Sequence, residues 1–501
     1  MSYKINFVSN GEISIPFHQY ADGEQNLYTI LIGKNGSGKS RVLSAINNAL
    51  CSVYVRNKLL KRDIGTVSQY KQDEYYLSIS GSQNGEDFRI TVKGRSIFVE
   101  GGIGINKTCP KKIISASTSP FNKFPEESLY FSGSNVNSNF YNYYGLDDKS
   151  KNRALLSLVQ RVFFSVNDGF LTKNRFTVKK LLNFLGLDEC FEIHFRMKHG
   201  INKFMSNLES LSIRDFMNYI SSASQRDLSY LQGKYDITYS QLRDAFVTLN
   251  DYCVKHDFSR KVTFVVDNTS LRLGKKSKEF ISSVKILSDI GLFNIQDIVV
   301  SRKTTRKEDG WQWWDESTES FSINDASSGQ QCILLNILGI ASSIEDNTLV
   351  LIDEPEISLH PEWQENYIQL LIDSFTHVKG CHFIIATHSP QIVSNLKNHN
   401  CFVSLIEHEK VLSARDIINK SADFQLATLF DAPGIENEYL KRVAVNILSA
   451  LSKGTYSKEI YSNDLDLLMR NRDKVEQGDS VKQLIDLAIE IVGRFSNDKV
   501  N

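Results

Sequence analysis

The octet Gly33-Lys34-Asn35-Gly36-Ser37-Gly38-Lys39-Ser40 directly follows the apolar run Leu27-Tyr28-Thr29-Ile30-Leu31-Ile32 and precedes a helical pattern over Arg41 to Leu50. Strand, glycine loop and helix in that order are the setting in which a GxxxxGKS octet works as a P-loop. The glycines let the backbone turn so that consecutive N–H groups face one anion, and the helix N-terminus adds partial positive charge. In that arrangement Lys39 neutralises β and γ phosphates, Ser40 holds Mg²⁺ and Arg41 extends the binding segment, which makes ATP the expected ligand.

A second element lies far downstream. Thr348 to Ile352 read as a buried strand that ends in Asp353 and Glu354. Two adjacent carboxylates at the end of a core strand are costly unless a cation or a reacting water uses them. Asp353 reads as the magnesium-side acid and Glu354 as the general base that orients the attacking water. Upstream of this strand, Ser327-Ser328-Gly329-Gln330 opens an apolar helical stretch, Cys332 to Leu338, and so predicts a helix start able to receive an anion. His388 follows another apolar strand in Ile384-Ile385-Ala386-Thr387-His388-Ser389-Pro390.

The P-loop, the Ser-Ser-Gly turn, the Asp-Glu pair and the histidine, in this order, resemble the head of ABC-type ATPases. The resemblance implies that Ser327, Ser328, Gly329 and Gln330 form the signature, acting on nucleotide held by the P-loop of a second copy, and that His388 is the switch histidine. It also implies a homodimer or higher homo-oligomer through the heads, with Ser358 in the loop crossing between copies. The family's glutamine between the P-loop and the signature has no clear counterpart; Ser117 to Phe124 is the best location, with Gln69 and Gln72 as alternatives. Tyr20 and Phe17 read as core or edge aromatics, or as candidates for stacking on adenine.

The expected fold class is α/β: an ABC-type head, with a P-loop core sheet and an antiparallel β-lobe, interrupted by a large, mainly helical insertion and followed by a helical C-terminal region. The boundaries read as 1–150, 151–290, 291–420 and 421–501. β-rich stretches between residues 75 and 116 predict the lobe, and helical periodicity at Ala154 to Phe164 and Leu242 to Leu249 predicts the insertion. Heptads are not sustained, which argues against a long coiled-coil arm. In the last helix Val481, Leu484, Ile485, Ala488 and Val492 share a face, and Ser480 with Gln483 fits a capping box.

The chain has 501 residues, 41% of them hydrophobic, with 58 basic and 58 acidic side chains. That length suits two or three domains, and the charge balance leaves any nucleic-acid contact to a local patch. Basic clusters stand at Arg56, Lys58, Lys61 and Arg62, at Lys275, Lys276 and Lys278, and at Arg302, Lys303, Arg306 and Lys307. They read as solvated faces or phosphate contacts; Trp311, Trp313 and Trp314 read as a packed hairpin tip or a stacking surface. Seven scattered cysteines without CxxC spacing suit reduced thiols, and no run reaches the roughly 18 apolar residues of a membrane span. A cytoplasmic protein is expected.

The run Leu351-Ile352-Asp353-Glu354-Pro355-Glu356-Ile357-Ser358-Leu359-His360-Pro361-Glu362-Trp363-Gln364 resembles the OLD and RecF-like ATPases of bacteria more than transporter subunits. Ser117 to Pro125 and Ala422 to Ala427 are similar to stretches of the PtuA ATPases of Septu antiphage systems, some of them retron-linked. No Toprim or HNH nuclease cluster is recognisable in the chain. The resemblance therefore implies a separate HNH nuclease subunit (PtuB-like), with the C-terminal helices as candidate docking site, and nucleic acid, including retron DNA, as a further partner. The alternative is a RecF-like DNA-repair ATPase that binds DNA without a nuclease.

Overall fold

The computed structural model describes residues 2–11, 13–19, 24–34, 36–59, 76–94, 96–101, 108–119, 123–125, 140–145, 170–197, 211–224, 238–255, 261–265, 277–302, 320–396, 400–418 and 420–498. Its centre is a seven-stranded sheet in the order Lys410–Ser413, Cys401–Leu405, Leu27–Ile32, His382–Thr387, Thr348–Asp353, Lys112–Ser117, Tyr141–Gly145. The first strand is antiparallel to its neighbour, and the remaining pairs are parallel. Leu27–Ile32, Thr348–Asp353 and His382–Thr387 are buried at every position, as parallel strands covered on both faces must be.

Alternation along these strands feeds two cores. Tyr28, Ile30, Val350, Ile352, Phe383 and Ile385 face the helices Ser328–Ser343 and Pro361–Ser374. Leu31, Leu349, Leu351, Ile384 and Ala386 face the P-loop helix, Lys39–Leu59, and the lobe sheet. That lobe is a five-stranded antiparallel sheet in which Tyr3–Ser9 pairs with both Ser14–Pro16 and Tyr76–Gln83, and Glu86–Lys93 and Ser96–Gly101 complete the order. Tyr3–Ser9 thus belongs to the lobe, whereas Leu27–Ile32 leads to the glycine loop from the core.

Between residues 151 and 290 the described residues form four helices, Phe170–Phe184, Ile213–Ser224, Tyr239–Lys255 and Ser277–Asp289. They also contain two strands that helical periodicity did not signal. Leu187–Met197 lies between Lys261–Val265 and Phe293–Arg302, and Ser320–Ser322 closes this second antiparallel sheet. The buried Thr177 hydroxyl donates to the Ser374 carbonyl (2.6 Å), fastening the insertion to the head. The predicted helix Ala154 to Phe164 lies outside the described residues.

The C-terminal region has helices Ala422–Thr428, Glu438–Ser452, Lys458–Arg472 and Ser480–Asp498 around a core of its own, with Leu440, Val443, Ile447, Leu468, Val481, Ile485 and Ala488 buried. The last helix buries the predicted face, but its cap is Asp479 rather than Ser480: the Asp479 carboxylate accepts the Val481 N–H at 2.8 Å. Its other oxygen accepts the Glu436 N–H, so the acid serves two chain segments where a serine hydroxyl would reach one. Among the described residues no helix is long and apolar enough to cross a membrane.

Candidate nucleotide site

The register of the central sheet brings four segments to one edge. Ile32 pairs with Thr387, Ala386 with Asp353, and Asp353 with Ser117. One residue further along these parallel strands come Gly33, His388, Glu354 and Thr118, at the carboxyl ends where open α/β sheets bind ligands.

In the glycine loop Gly36 and Gly38 have φ of +83° and +95°, left-handed values that a side chain would oppose. Lys39 is 3% exposed. Its ammonium donates to the carbonyls of Gly33 (2.6 Å) and Lys34 (3.2 Å) and lies 3.1 Å from His388 Nδ1. Burial pushes its pKa down to about 8, while Glu407, Glu354, Glu356 and Asp353 pull the other way. The Ser40 hydroxyl donates to Asp353 Oδ1 at 3.0 Å. Asp353 is 2% exposed, and burial pushes its carboxyl up to about 6 despite that hydrogen bond. These two hard oxygen donors suit Mg²⁺, and a cation there would offset the desolvation of the carboxylate. Asn35 lies outside the described residues.

Glu354 adopts φ +50°, unusual for a residue with a side chain. Two hydrogen bonds hold it there: its N–H donates to the Ala386 carbonyl (2.9 Å), and the Thr118 hydroxyl donates to its own carbonyl (2.8 Å). His388 Nε2 stands 3.6 Å from Glu354 Oε1. Burial and the Lys39 charge lower the His388 pKa, which favours the neutral ring. With Nδ1 turned to the Lys39 ammonium, the assigned tautomer carries its proton on Nε2, towards Glu354.

Sequence reasoning missed two acids here. Glu356 accepts the His388 backbone N–H at 2.6 Å; it is half-buried, and desolvation raises its pKa. Glu407 accepts the Lys34 N–H, also at 2.6 Å. Glu356 stands inside the run Leu351 to Gln364 with no role signalled by its position, and only strand adjacency puts Glu407 beside the loop.

The expected glutamine is not found at the strand end beside Asp353. Ser117, Thr118 and Ser119 are buried there, and Pro120 to Asn122, Gln69 and Gln72 lie outside the described residues. Phe17 is fully buried and meets His382 edge to face, so it is a core residue and not a base-stacking one; Tyr20 is not described. A cavity of about 490 Å³ beside the P-loop is instead lined by Ile13, Ile15, Gly38, Arg41, Tyr76 and Lys123.

At the Ser-Ser-Gly turn Ser327 and Gln330 form a capping box: the Ser327 hydroxyl accepts the Gln330 N–H, and the Gln330 side chain accepts the Ser327 N–H. Ser327 and Ser328 are exposed while Gly329 is buried. A Cβ on Gly329 would come within 2.6 Å of the Ser358 carbonyl, so the turn is pressed onto the loop that follows Glu354. Ser327 and Gln330 border a cavity of about 490 Å³ with Arg302, Phe321 and Asp325. This cavity shares no lining residue with the one beside the P-loop. Within one chain the two motifs therefore face different spaces. Of the basic clusters and tryptophans, Arg302 alone has a described side chain, 6.0 Å from the Phe321 ring.

A family profile described as "AAA ATPase domain" matches residues 5–393, which include every motif above. The chain belongs to the AAA ATPase domain family. Proteins similar to it include the retron Ec83 probable ATPase of Escherichia coli, 26% identical over 197 residues, or 37% of this chain and 34% of that protein. The chain thus spans about a third of that relative's length. The retron Vc95 probable ATPase of Vibrio cholerae serotype O1 biovar El Tor is 22% identical over 400 residues, 75% of this chain and 68% of that protein. Among solved structures, the Smc head domain with an extended coiled coil bound to the C-terminal domain of ScpA, from Pyrococcus furiosus, aligns over 82% of this chain and 96% of that one. It does so with a TM-score of 0.33 and 11% identity. In this AAA ATPase the profile reaches across the insertion to His388 and stops before the C-terminal helices.

Proposed function

We propose that the chain hydrolyses ATP to ADP and phosphate in sites shared between two copies, and that this cycle controls a partner nuclease in antiphage defence. The observation that carries the hydrolysis reading is the meeting of Lys39, Ser40, Asp353, Glu354 and His388 at one sheet edge. Triphosphate oxygens would lie on the P-loop N–H groups and draw the Lys39 ammonium from the Gly33 carbonyl. Ser40 and Asp353 would hold Mg²⁺, whose charge stabilises the developing negative charge on the phosphates. Glu354 would accept the proton of the attacking water, with His388 Nε2–H steadying the carboxylate or the phosphoryl oxygens. The mostly apolar cavity walled by Ile13, Ile15 and Tyr76 would take the base.

Dimeric sites are supported by the separate cavities at the P-loop and the signature turn, together with the exposure of Ser327 and Ser328. The defence reading is supported by similarity to two proteins named as retron ATPases. The C-terminal helices, beyond the family match, are the surface assigned to the nuclease. The test purifies the wild type, Lys39→Ala and Glu354→Gln from the source cells. Magnesium-dependent ATP turnover in the wild type, lost in both variants, with a nuclease subunit retained on Glu354→Gln, is the expected result. Turnover that survives Lys39→Ala rejects the site, and retention of gapped DNA without any nuclease rejects the partner.

A further inference from the structure

The strand Cys401–Leu405 runs parallel to Leu27–Ile32, with Leu405 paired to Ile32. Two segments therefore leave the sheet side by side: the P-loop after one strand, and a 3₁₀ turn, Ile406–His408, after the other. Glu407 of this turn reaches into the P-loop, where its Oε1 accepts the Lys34 N–H at 2.6 Å. The next residue faces the opposite way. His408 Nε2 lies 3.2 Å from Asp431 Oδ2 and 3.3 Å from Arg470 Nη1, and the same Asp431 oxygen lies 3.2 Å from Lys474 Nζ. Arg470 belongs to the helix Lys458–Arg472, Lys474 comes just after it, and Asp431 comes after Ala422–Thr428. The Asp431 carboxylate is 9% exposed and φ is +50°; its Oδ1 is buried without a hydrogen-bond partner among the described residues. An acid this little exposed, facing a histidine and a lysine from different segments, ties those segments to one point, since its loss leaves the Lys474 charge uncompensated.

Building on the ATPase reading above, we infer that Glu407 is a positioning residue for the P-loop and that the Asp431, His408, Arg470 and Lys474 cluster makes the C-terminal helices its control element. A partner that shifts those helices would move His408, and with it the neighbouring carboxylate that sets the loop's entry. The coupling is reciprocal, so ATP would alter the partner's affinity by the same factor.

The experiment measures ATP affinity by calorimetry and the split of KM and kcat on the full chain for the wild type, Glu407→Ala, Glu407→Gln and Asp431→Ala. Glu407→Ala loses a charge-assisted acceptor and is expected to weaken ATP about tenfold, through KM with kcat little changed. Glu407→Gln keeps an oxygen for the Lys34 N–H and sheds a negative charge near the phosphates, so it is expected to restore affinity to the wild-type level or better. Asp431→Ala touches no nucleotide and is expected to weaken ATP by about threefold, within the range of coupling through packed elements. Cooperative melting of each variant confirms folding. Wild-type affinity in Glu407→Ala or in folded Asp431→Ala overturns the inference; a wild type that binds no ATP overturns instead the function on which it rests.

Discussion

Asp353 is asked to be ionised in a place that disfavours ionisation, and Asp353→Asn makes the cost measurable. Burial moves its pKa from 3.8 to about 6. The native state therefore holds the proton more tightly than the unfolded chain. Stability falls as pH rises from about 4 through about 6, and the deficit is complete above that window. At about 1.4 kcal/mol per pH unit, the deficit at pH 8 is about 3 kcal/mol. Asparagine keeps an oxygen for the Ser40 hydroxyl but removes the favourable field on Lys39. The net gain in Asp353→Asn is therefore expected at about 1 to 3 kcal/mol. Thermal melts with EDTA and no nucleotide should show the variant more stable at pH 8 and equal to the wild type near pH 4. Adding Mg²⁺ and ATP should reverse the order at pH 8, because a ligand that binds only the native wild type raises its stability by mass action. A variant no more stable than the wild type at pH 8, or an advantage that grows towards pH 4, would refute the argument that burial governs this acid.

Glu356→Ala strips the acceptor from the His388 N–H and should lower stability by about 1 to 3 kcal/mol, with slower turnover and little change in ATP affinity. Turnover equal to the wild type would remove Glu356 from the site. Gly329→Val places a branched side chain where even a Cβ meets the Ser358 carbonyl at 2.6 Å, so the turn must back away from the loop after Glu354. Turnover should fall at least tenfold while ATP affinity per P-loop is kept, as equilibrium binding and single-turnover assays will read. Lost binding with intact turnover per bound ATP would contradict this.

The head was legible because its motifs are local and each sits on a strong periodic signal. Leu27 to Ser40 and Leu349 to Glu354 name their residues and their elements in consecutive positions. The C-terminal helix face was legible for the same reason, from Val481, Ile485 and Ala488 recurring at helical spacing. The hidden contacts depend on which strands lie side by side. Glu407 meets Lys34, and Glu356 meets His388, through pairings that no spacing encodes. Phe17 takes the core place of its two readings, sealed between His382 and the lobe. The strand Leu187–Met197, Leu-Asp-Glu-Cys-Phe-Glu-Ile-His-Phe-Arg-Met, alternates only in its second half, and its helical neighbours masked it. Asp479 outcompetes Ser480 as a cap because its two oxygens serve two N–H groups.

The central claim is that each nucleotide is closed in by the Ser327 turn of a second copy, and mixing two dead variants tests it most directly. Lys39→Ala lacks a working P-loop and Ser327→Arg a working signature turn, so each alone should hydrolyse no ATP. In a mixed twofold dimer one site combines both lesions and the other has none, so an equimolar mixture after subunit exchange should recover about a quarter of wild-type turnover. Recovery near that level is the predicted result. No recovery in mixtures shown by mass to contain the mixed dimer, or full turnover by Ser327→Arg alone, would contradict the account.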